Sequence, residues 1–313
     1  MSSTGRYCPA ILRLTEHQDI ALRTLSMSTH ENLKELLNLE AIEVNLFRGF
    51  THDQRQKRIF GGQVIAQALM AAYRTVEDRI CHSLHCYFIR PGDPNVPILF
   101  QVERARDGKS FATRRVAAIQ HGEQIFNLAA SFQTPEDGFE HQLTMPDAPA
   151  PLTVTDDYEE RKRLAANLPP RAAAGFLRPM AIQLRSVDPQ SLSHPKILPG
   201  RQQVWMKSTD PVDDDVAFNQ AVLAYASDMS LLGTSMRPHG IVWTTPGFQS
   251  ASLDHAIWFH RHSRFDGWHL YDQDSPNAHG ARGFIRGEIY SEDGTLIASV
   301  AQEGLIRYRA PEM

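Results

Sequence analysis

The sequence has little cysteine and no long apolar run, and both shortages limit what the protein can be. Its 313 residues include three cysteines, Cys8, Cys81 and Cys86, an odd set without a CxxC pair. Such a set argues against a disulfide framework and against a structural zinc site. The apolar stretches end well before the roughly 18 residues that a membrane span requires. We therefore expect a reducing compartment, no metal and no membrane span.

Charge of either sign is not in large excess. Lys and Arg number 32 and Asp and Glu number 36, so the formal net charge is −4. No global basic field is present to attract nucleic acid, and an anionic ligand must meet a local group of Arg and Lys. GxSxG, GxxxxGK[ST] and GxGxxG are also missing, which argues against an α/β-type Ser hydrolase and against phosphate-binding loops.

The two termini carry no recognisable address. A secretory signal is not expected because the segment 11–25 is interrupted by charged residues, namely Arg13, Glu16, Asp19 and Arg23. The last residues, 310–313, are not a peroxisomal tripeptide of the Ser-Lys-Leu type. A cytoplasmic location is therefore predicted. Met27 is an alternative start, since it opens a predicted helix with N-cap residues Ser28 and Thr29 and the apolar stripe Leu33, Leu36, Leu37 and Leu39.

An internal duplication decides the predicted architecture. A β-rich run opens at Ser83 and closes at Gln133, and a second run of the same length opens at Ser252 and closes at Gln302. Both follow an alanine-rich helical segment, and both are broken by a turn at a matching place, 121–123 and 292–294. This pattern predicts two copies of one unit, each a helix wrapped by its own antiparallel sheet.

The first unit is predicted from one helix and four strands. Gly61 and Gly62 precede a helix whose apolar stripe is Ile65, Ala68, Leu69 and Ala72. Extended runs follow near 83–90, 98–105, 111–120 and 124–133, separated by turn signals at 91–92, 107–108 and 121–122. The proline-rich segment from about 134 to 190, with one charged helix near 158–168, reads as a connection.

The second unit is predicted to restart at Trp205, followed by a helix led by Asp213, Asp214 and Asp215. The helical stripe is Phe218, Ala221, Val222, Tyr225, Met229 and Leu232. Its spacing places Asp228 at the edge of the buried face. There an acid is either a solvated flank residue or one that finds partners and has a raised pKa. Strands are predicted near 252–260, 268–271, 283–290 and 295–302.

Several short blocks, in order and at matching spacing across about residues 30–308, resemble the acyl-CoA thioesterase II family. The blocks are 60–64 FGGQV, 225–228 YASD, 238–240 PHG, 252–260 SLDHAIWFH, 281–284 ARGF and 302–304 QEG. The resemblance implies an α+β double hotdog fold and hydrolysis of acyl-CoA to free fatty acid and CoA. The domains would be an N-terminal extension at 1–30, an N-terminal hotdog at 31–134, a linker at 135–195 and a C-terminal hotdog with the active site at 196–313.

The resemblance also implies a water-holding set of an Asp, a hydroxyl residue and a Gln. Carried onto this sequence, these candidate catalytic residues are Asp228, Ser252 and Gln302; the hydroxyl residue is often Thr in bacterial members. A thioester carbonyl is already electrophilic, so a positioned water, a base and oxyanion donors suffice. The first unit shows Ser83 and Gln133 in the corresponding places but no clear acid, which predicts one working site per chain.

Candidates for binding the substrate and its CoA part are Arg58, Gly61, Gly62, Gln63 and Arg282. The N–H groups at 61–63 would face the oxyanion, and Arg58 and Arg282, like Arg261, Arg264 and Arg286, are candidates for the phosphates. No cofactor is expected, since CoA is part of the substrate. The histidines His255, His260, His262 and His269 are predicted to be structural or interface residues, because strand alternation separates His255 from His260 and His262.

Two other functions stay open on the sequence alone. A hotdog protein could hydrate enoyl-CoA, which would require an Asp/His dyad, or could bind acyl-CoA as a sensor without turning it over. The complete set of Asp228, Ser252 and Gln302 argues against the sensor. Open sheet edges favour association of whole chains into a homodimer or homotetramer. Acyl-chain length preference, pathway and regulation are not encoded in any pattern that we recognise.

Overall fold

The computed structural model describes residues 32–51, 57–168, 170–178 and 180–309. The predicted helix start at Met27, with Ser28 and Thr29, lies outside these residues, as does the extension 1–30. A short helix α1, Leu33–Leu37, is capped instead by Asn32, whose side-chain oxygen accepts from the backbone N–H of Lys34 at 2.9 Å. Its three leucines are buried, as the predicted stripe requires.

After α1, the first half of the chain forms one long helix and six strands. These are β1 Glu40–Glu43, β2 Leu46–Gly49, α2 Gly61–Tyr73, β3 Ile80–Phe88, β4 Ile98–Asp107, β5 Phe111–Gln120 and β6 Glu123–Gln133. The strands are antiparallel in the order β1-β2-β4-β5-β6-β3. The four predicted extended runs and the turn at Gly122, where φ is +76°, are confirmed. Helix α2 consists of small and aliphatic residues and is buried along nearly its whole length, so it packs closely on β4, β5 and β6.

The connecting segment contains more structure than its proline content predicts. It holds α3 Asp157–Ala165, α4 Pro170–Phe176 and β7 Ile182–Ser186. The charged helix predicted near 158–168 corresponds to α3. Strand β7 pairs with β8 of the second half, so the sheet of that half begins inside the predicted linker 135–195.

The second half repeats the plan of the first with one additional break. Its elements are β8 Arg201–Ser208, α5 Val216–Ser227, α6 Leu231–Met236, β9 Phe248–Ser252, β10 Asp254–Phe259, β11 His269–His279, β12 Arg282–Ser291 and β13 Leu296–Tyr308. The prediction of one helix through Leu232 is wrong, because α5 ends at Ser227 and Asp228 is its C-cap. Met229 and Leu232 line a cavity beyond the helix end and also pack in the hydrophobic core.

The two halves share one sheet and one core. Strand β3 pairs antiparallel with β10, for example Ile257 with Leu84, and so joins the half-sheets into a single sheet of thirteen strands within the described residues. Helices α2 and α5 pack against each other, and one hydrophobic cluster includes residues of both halves. The two units of the predicted double hotdog are thus fused along this strand pair and share one core. Among the described residues, no helix is long and apolar enough to cross a membrane.

Candidate active site

The end of helix α5 meets the start of helix α2, and two glycines permit this contact. A Cβ on Gly61 would lie 2.6 Å from Asp228 Oδ2, and a Cβ on Gly62 would lie 2.4 Å from the carbonyl oxygen of Tyr225. A side chain at position 62 would meet backbone, which cannot move aside locally, and a side chain at position 61 would displace the Asp228 carboxylate. The approach lets the backbone N–H of Gly62 donate a hydrogen bond to the Asp228 carboxylate. The first turn of α2 thus provides positive partial charge to an acid at the end of α5.

The three candidate catalytic residues form one hydrogen-bonded chain. Asp228 is the C-cap of α5, Ser252 is the last residue of β9 and Gln302 lies on β13. The Ser252 hydroxyl donates to Asp228 Oδ1 at 3.2 Å, and Gln302 Nε2 donates to Ser252 Oγ at 2.9 Å. The Gln302 amide also hydrogen-bonds to the Asp228 carboxylate. Residues far apart in the sequence are thereby brought onto one carboxylate.

The environment of Asp228 raises its pKa to about 7, chiefly because burial disfavours the charged carboxylate. The hydrogen bonds from Ser252, Gly62 and Gln302 and the charge of Arg58 act in the opposite direction. The side chain keeps part of its surface open toward a cavity, while protein encloses the rest. A carboxylate with this pKa accepts a proton readily near neutral pH. Of the two alternatives raised by the sequence, the acid with partners and a raised pKa is confirmed.

A cavity of about 510 Å³ opens beside this chain of hydrogen bonds. Asp228 and Ser252 lie on its wall, and most of the remaining lining is apolar, including Phe60, Val64, Phe88, Phe126, Leu232 and Trp243. Gln302 is 1% exposed and lies behind Ser252. It therefore acts on the hydroxyl and the carboxylate from within the protein. The cavity combines a polar end with apolar walls large enough for an extended hydrocarbon chain.

The candidates for substrate binding separate into two groups. Gly61 and Arg58 line the cavity, and Arg58 Nη2 donates to the Ser250 carbonyl at 3.2 Å. The Gln63 side chain is buried elsewhere, where its Nε2 donates to Thr51 Oγ1 at 2.9 Å. Arg282 forms an ion pair with Glu303 at 2.9 Å and is not among the residues that line the cavity. The geometry brings only the first group to the carboxylate.

Each of the four histidines singled out in the sequence has its own partners. His260 contacts Ser299, His262 contacts Asp214, and His269 contacts Ser263 and the Gly267 carbonyl. His255 lies between Ser227 and Gln302. Among the described residues, no group of three or more His, Cys, Asp or Glu side chains is arranged to hold a metal ion.

The first half contains a site that corresponds to the candidate trio, but the residues that occupy it are not the ones predicted from the sequence. Both Asp228 and Tyr73 come twelve residues after the first residue of their helix. Both Ser252 and Cys81 come seven residues before the last residue of the strand that joins the halves, Phe259 in β10 and Phe88 in β3. The counterparts of Asp228 and Ser252 are therefore Tyr73 and Cys81.

The counterpart of Gln302 follows from the neighbouring ladders. Gln302 pairs with Ile285, the fourth residue of β12, and the fourth residue of β5, Arg114, pairs with Ala130. Ala130 thus takes the place of Gln302. The predicted match of Ser83 with Ser252 and of Gln133 with Gln302 is wrong, because the segment from Ser252 to the strand end is two residues longer than the segment from Ser83. A smaller cavity of about 230 Å³, lined by Cys81, His260 and Arg261 among others, lies at this first-half site.

The sequence did not predict that His255 lies next to the candidate trio, nor which apolar residues line the cavity. His255 was assigned to structure in general, although it stands three residues after Ser252 in the same block. Met229 and Leu232 were assigned to the helical stripe alone, whereas both also line the cavity, together with Trp243. The signal that was present is the apolar period that continues past Asp228 after the helix has ended.

Comparison with known proteins agrees with this geometry. The family model described as "Acyl-CoA thioesterase" matches residues 183–305, and the one described as "Acyl-CoA thioesterase N-terminal domain" matches residues 51–133. The chain is 42% identical over 278 residues to Acyl-CoA thioesterase 2 of Haemophilus influenzae, covering 88% of this chain and 97% of that relative.

Solved structures give the same result for the fold. The acyl-CoA thioesterase II TesB2 from Mycobacterium marinum is 41% identical, with a TM-score of 0.73 over 90% of this chain and 100% of the other. A protein with a hot dog fold from Alicyclobacillus acidocaldarius has a TM-score of 0.71 at 18% identity, over 89% of this chain and 98% of the other, which shows the fold alone. The fold is the predicted α+β double hotdog.

Proposed function

This chain belongs to the acyl-CoA thioesterase family, and from that premise we propose that it hydrolyses acyl-CoA with a water activated by Asp228 and held in place with Ser252 and Gln302. The water oxygen attacks the thioester carbonyl carbon while the Asp228 carboxylate takes one of its protons. The carbon–sulfur bond then breaks, Asp228 returns the proton to the departing sulfur so that CoA leaves as its thiol, and the acyl group leaves as a carboxylic acid. The observation that carries the proposal is the hydrogen-bonded chain Gln302–Ser252–Asp228 at the polar end of an apolar cavity.

The direction of the hydrogen bonds supports Asp228 as the base. Ser252, Gly62 and Gln302 all donate to its carboxylate, so they hold it in one orientation and in its charged form. Burial raises the pKa of Asp228 to about 7, so a large share of the carboxylate is ionised at neutral pH and is still a useful proton acceptor. General-base assistance of this kind contributes about 100- to 10,000-fold in rate.

We assign the CoA part of the substrate to the side of the cavity at Arg58. This guanidinium is exposed and lies close enough to stabilise the Asp228 carboxylate, so it stands at the polar end where a CoA thioester would enter. Gly61 lines the same side, and its lack of a side chain leaves that part of the cavity open beside Asp228. Arg282 and the Gln63 side chain are not assigned to substrate binding, because Arg282 pairs with Glu303 and Gln63 donates to Thr51.

The described lining of the cavity speaks against the hydratase alternative. A dyad of Asp and His would require a histidine ring beside Asp228, and none of the described residues that line the cavity is a histidine. The ring of His255 is separated from the cavity by Ser252 and Gln302. The same fact argues against covalent catalysis by Ser252, since its hydroxyl donates to a carboxylate and has no imidazole partner. Family membership argues against the sensor.

The test is thiol release from a series of acyl-CoAs from butyryl to stearoyl, with the parent protein and Asp228→Asn compared. We expect kcat to fall about 100- to 10,000-fold in the variant, while the affinity for free CoA, measured by calorimetry, is retained. Asp157→Asn is the matched control, because Asp157 is also a carboxylate with a pKa raised by burial, but it contacts Ser186 away from the cavity. An Asp228→Asn variant with parental kcat would overturn the proposal.

Association and location remain predictions. The sheet ends at β1 and β7, whose outer edges are places where whole chains could pair into a homodimer or homotetramer. The cytoplasmic location that the sequence favours is likewise a prediction. Sedimentation of the purified chain and fractionation of cells that express it would test the two.

A further inference from the structure

A buried histidine continues the hydrogen-bonded chain behind the candidate trio. His255 on β10 is 1% exposed, as is Gln302. Its Nδ1 lies 2.6 Å from Gln302 Oε1, and its Nε2 lies 2.9 Å from Ser227 Oγ. Ser227 is the last residue of α5 and directly precedes Asp228. The imidazole therefore ties the amide behind Ser252 to the helix end that carries the carboxylate.

The amide of Gln302 must face one way for the trio to work. Nε2 can only donate, and it donates to Ser252 Oγ, which frees the Ser252 proton for Asp228. If the amide were reversed, Oε1 would face Ser252 and attract that proton away from the carboxylate. The orientation of an amide is set by its other neighbours, because its oxygen and nitrogen have nearly the same shape.

His255 supplies the neighbour that distinguishes the two ends of the amide. Gln302 Oε1 has no proton, so the hydrogen bond to His255 requires a proton on Nδ1. In the neutral ring Nε2 is then an acceptor, and the Ser227 hydroxyl lies within reach to donate to it. That hydroxyl also lies 3.0 Å from the Ala224 carbonyl, the second acceptor available to it. With Ser227 donating to the ring, every donor from Ser227 to Ser252 points toward Asp228.

We propose that His255 is a positioning residue of the hydrolytic site: its Nδ1–H fixes the Gln302 amide so that Ser252 and Gln302 donate toward Asp228. The inference rests on the proposed function of Asp228, Ser252 and Gln302. His255 does not touch the cavity and takes no proton from the substrate. It acts through Gln302, and its loss leaves the amide free to reverse.

The ionisable groups around the chain leave Asp228 as the one that this positioning affects near neutral pH. Burial lowers the pKa of His255 to about 4, so the ring is neutral. Cys86 on β3 and Tyr271 on β11 face the same region, and burial raises the pKa of both, which keeps them neutral. The Asp254 carboxylate accepts from the Glu303 N–H at 2.6 Å, and alternation along β10 turns it away from His255. Arg58 faces Asp228 from the cavity.

The experiment compares His255→Leu, His255→Asn and His255→Gln with the parent. His255→Leu removes the donor, and we expect kcat to fall about 10- to 100-fold with the KM for palmitoyl-CoA within about twofold. The acid limb of the kcat profile should move to higher pH, because Gln302 and Ser252 then stabilise the carboxylate less. The Asn amide nitrogen reaches about the place of Nδ1, so His255→Asn should recover much of kcat and the parental limb. The Gln amide reaches the place of Nε2 and should not.

His269→Leu is the matched control. His269 is also 1% exposed, also has a pKa lowered to about 4 by burial, and stacks on Phe265 in the same half. It is hydrogen-bonded to Ser263 and Gly267 instead of the trio. Its replacement should lower the melting temperature and leave kcat and the acid limb of the remaining folded protein within about twofold of the parent.

Three results test whether His255 positions the Gln302 amide. A folded His255→Leu with parental kcat and an unmoved acid limb overturns the positioning role. If His255→Leu does not fold, equal activities of His255→Asn and His255→Gln overturn it, since only the first restores a donor at Nδ1. Asp228→Asn, measured alongside, separates the two proposals: if it keeps the parental kcat both fall, and if it is inactive while the His255 variants are unaffected only the positioning role falls.

Discussion

The two hotdog halves share a scaffold and differ at four positions around their helix ends. Where the second-half site has Asp228, Ser252 and Gln302, the first-half site has Tyr73, Cys81 and Ala130. Where helix α2 starts with Gly61 beside Asp228, helix α5 starts with Val216. The fold therefore forms the same helix junction in both halves. Only the second half has a carboxylate there, with side-chain donors around it and a glycine that leaves room for it.

At the first-half site the Tyr73 hydroxyl, the Gln220 amide and the backbone of Cys81 hydrogen-bond to one another. The Tyr73 hydroxyl donates to Gln220 Oε1 and accepts from the Cys81 N–H at 2.9 Å, and Gln220 Nε2 donates to the Cys81 carbonyl at 2.9 Å. Burial raises the pKa of both the Tyr73 hydroxyl and the Cys81 thiol, so both stay neutral at physiological pH. The position that Asp228 takes in the second half is thus held by a neutral hydroxyl instead of a carboxylate, which is the physical reason to expect one working site per chain.

Exchanging the helix starts is expected to have the largest effect. Gly61→Val gives α2 the residue found at the start of α5, and its Cβ would lie 2.6 Å from Asp228 Oδ2. Either the carboxylate or the helix must move, and misplacement of a catalytic group by about 1 Å costs about 100-fold in rate. We expect kcat/KM for palmitoyl-CoA to fall at least about 100-fold. Val216→Ala, the matched change in α5, should leave it within about twofold.

Two outcomes would contradict the claim that only the second-half helix junction is needed for activity. If Gly61→Val keeps its activity, the close approach of the helices is not needed for the chemistry. If Val216→Ala lowers kcat/KM as much as Gly61→Val, the first-half helix junction contributes to turnover. Circular dichroism of both variants distinguishes loss of the site from loss of the fold.

Removing the hydroxyl groups one half at a time should have a smaller effect. Ser252→Ala deletes a donor to Asp228, and the loss of a hydrogen bond to a buried charged group costs about 1.5–3 kcal/mol, or about 10- to 100-fold in kcat. Ser83→Ala and Cys81→Ala, which change the residue matched by sequence and the residue matched by structure, should both stay within about twofold. The prediction of one working site would be abandoned if either first-half variant lost as much activity as Ser252→Ala.

Local pattern predicted the elements of this fold better than it predicted their register. The apolar stripes of α2 and α5 and the four runs of the first sheet follow from period alone, and the helical spacing placed Asp228 at a buried edge. The match of Ser83 with Ser252 failed because it counts residues from the front of each strand. The halves align from Phe88 and Phe259, the residues that end β3 and β10, and these strands pair with each other across the halves. No single-sequence pattern reports that pairing.

The site was predictable to the extent that a resemblance supplied it. Asp228, Ser252 and Gln302 came from matching blocks, and their contact in space is a property of the pairing of β13 with β9 and β12. His255 was visible as a histidine in a strand, yet its place behind Gln302 depends on two strands and the last turn of α5. The helix break at Asp228 was missed because the apolar residues after it line a cavity and so continue the helical spacing by another cause.

The unfolding free energy should depend on pH through Asp228 in the second half, whereas its first-half counterpart, Tyr73, stays neutral. We expect this effect to be smaller than the changes in activity. The folded-state pKa of Asp228, about 7, is above the ordinary value of 3.8, so the folded state holds its proton more tightly and loses stability as pH rises through that window. The shift corresponds to at most about 4 kcal/mol, and the hydrogen bonds that an amide does not accept offset about half of it. Asp228→Asn should therefore be about 2 kcal/mol more stable than the parent at pH 8.

The difference in unfolding free energy between Asp228→Asn and the parent should shrink as pH approaches 4. At that pH Asp228 is protonated in the folded state and increasingly in the unfolded state as well. Urea unfolding of both proteins at pH 5 and pH 8 checks the sign, and other titrating groups cancel in the difference. A gain that is equal at both pH values would mean that the charge of Asp228 is not what costs stability.

Tyr73→Phe is expected to have the smallest effect, and it tests whether the first half only supports the second. The change removes the hydroxyl between Gln220 and the Cys81 N–H and leaves two buried polar groups without that partner. An unsatisfied group costs about 1–3 kcal/mol. The adjacent cavity of about 230 Å³ is lined by polar residues and has room for water to replace the hydroxyl. We therefore expect a loss near 1 kcal/mol in unfolding free energy and a kcat within about twofold. A tenfold loss of kcat would mean that the two helix junctions are coupled, because the aromatic ring that packs on Phe132 is unchanged by the substitution.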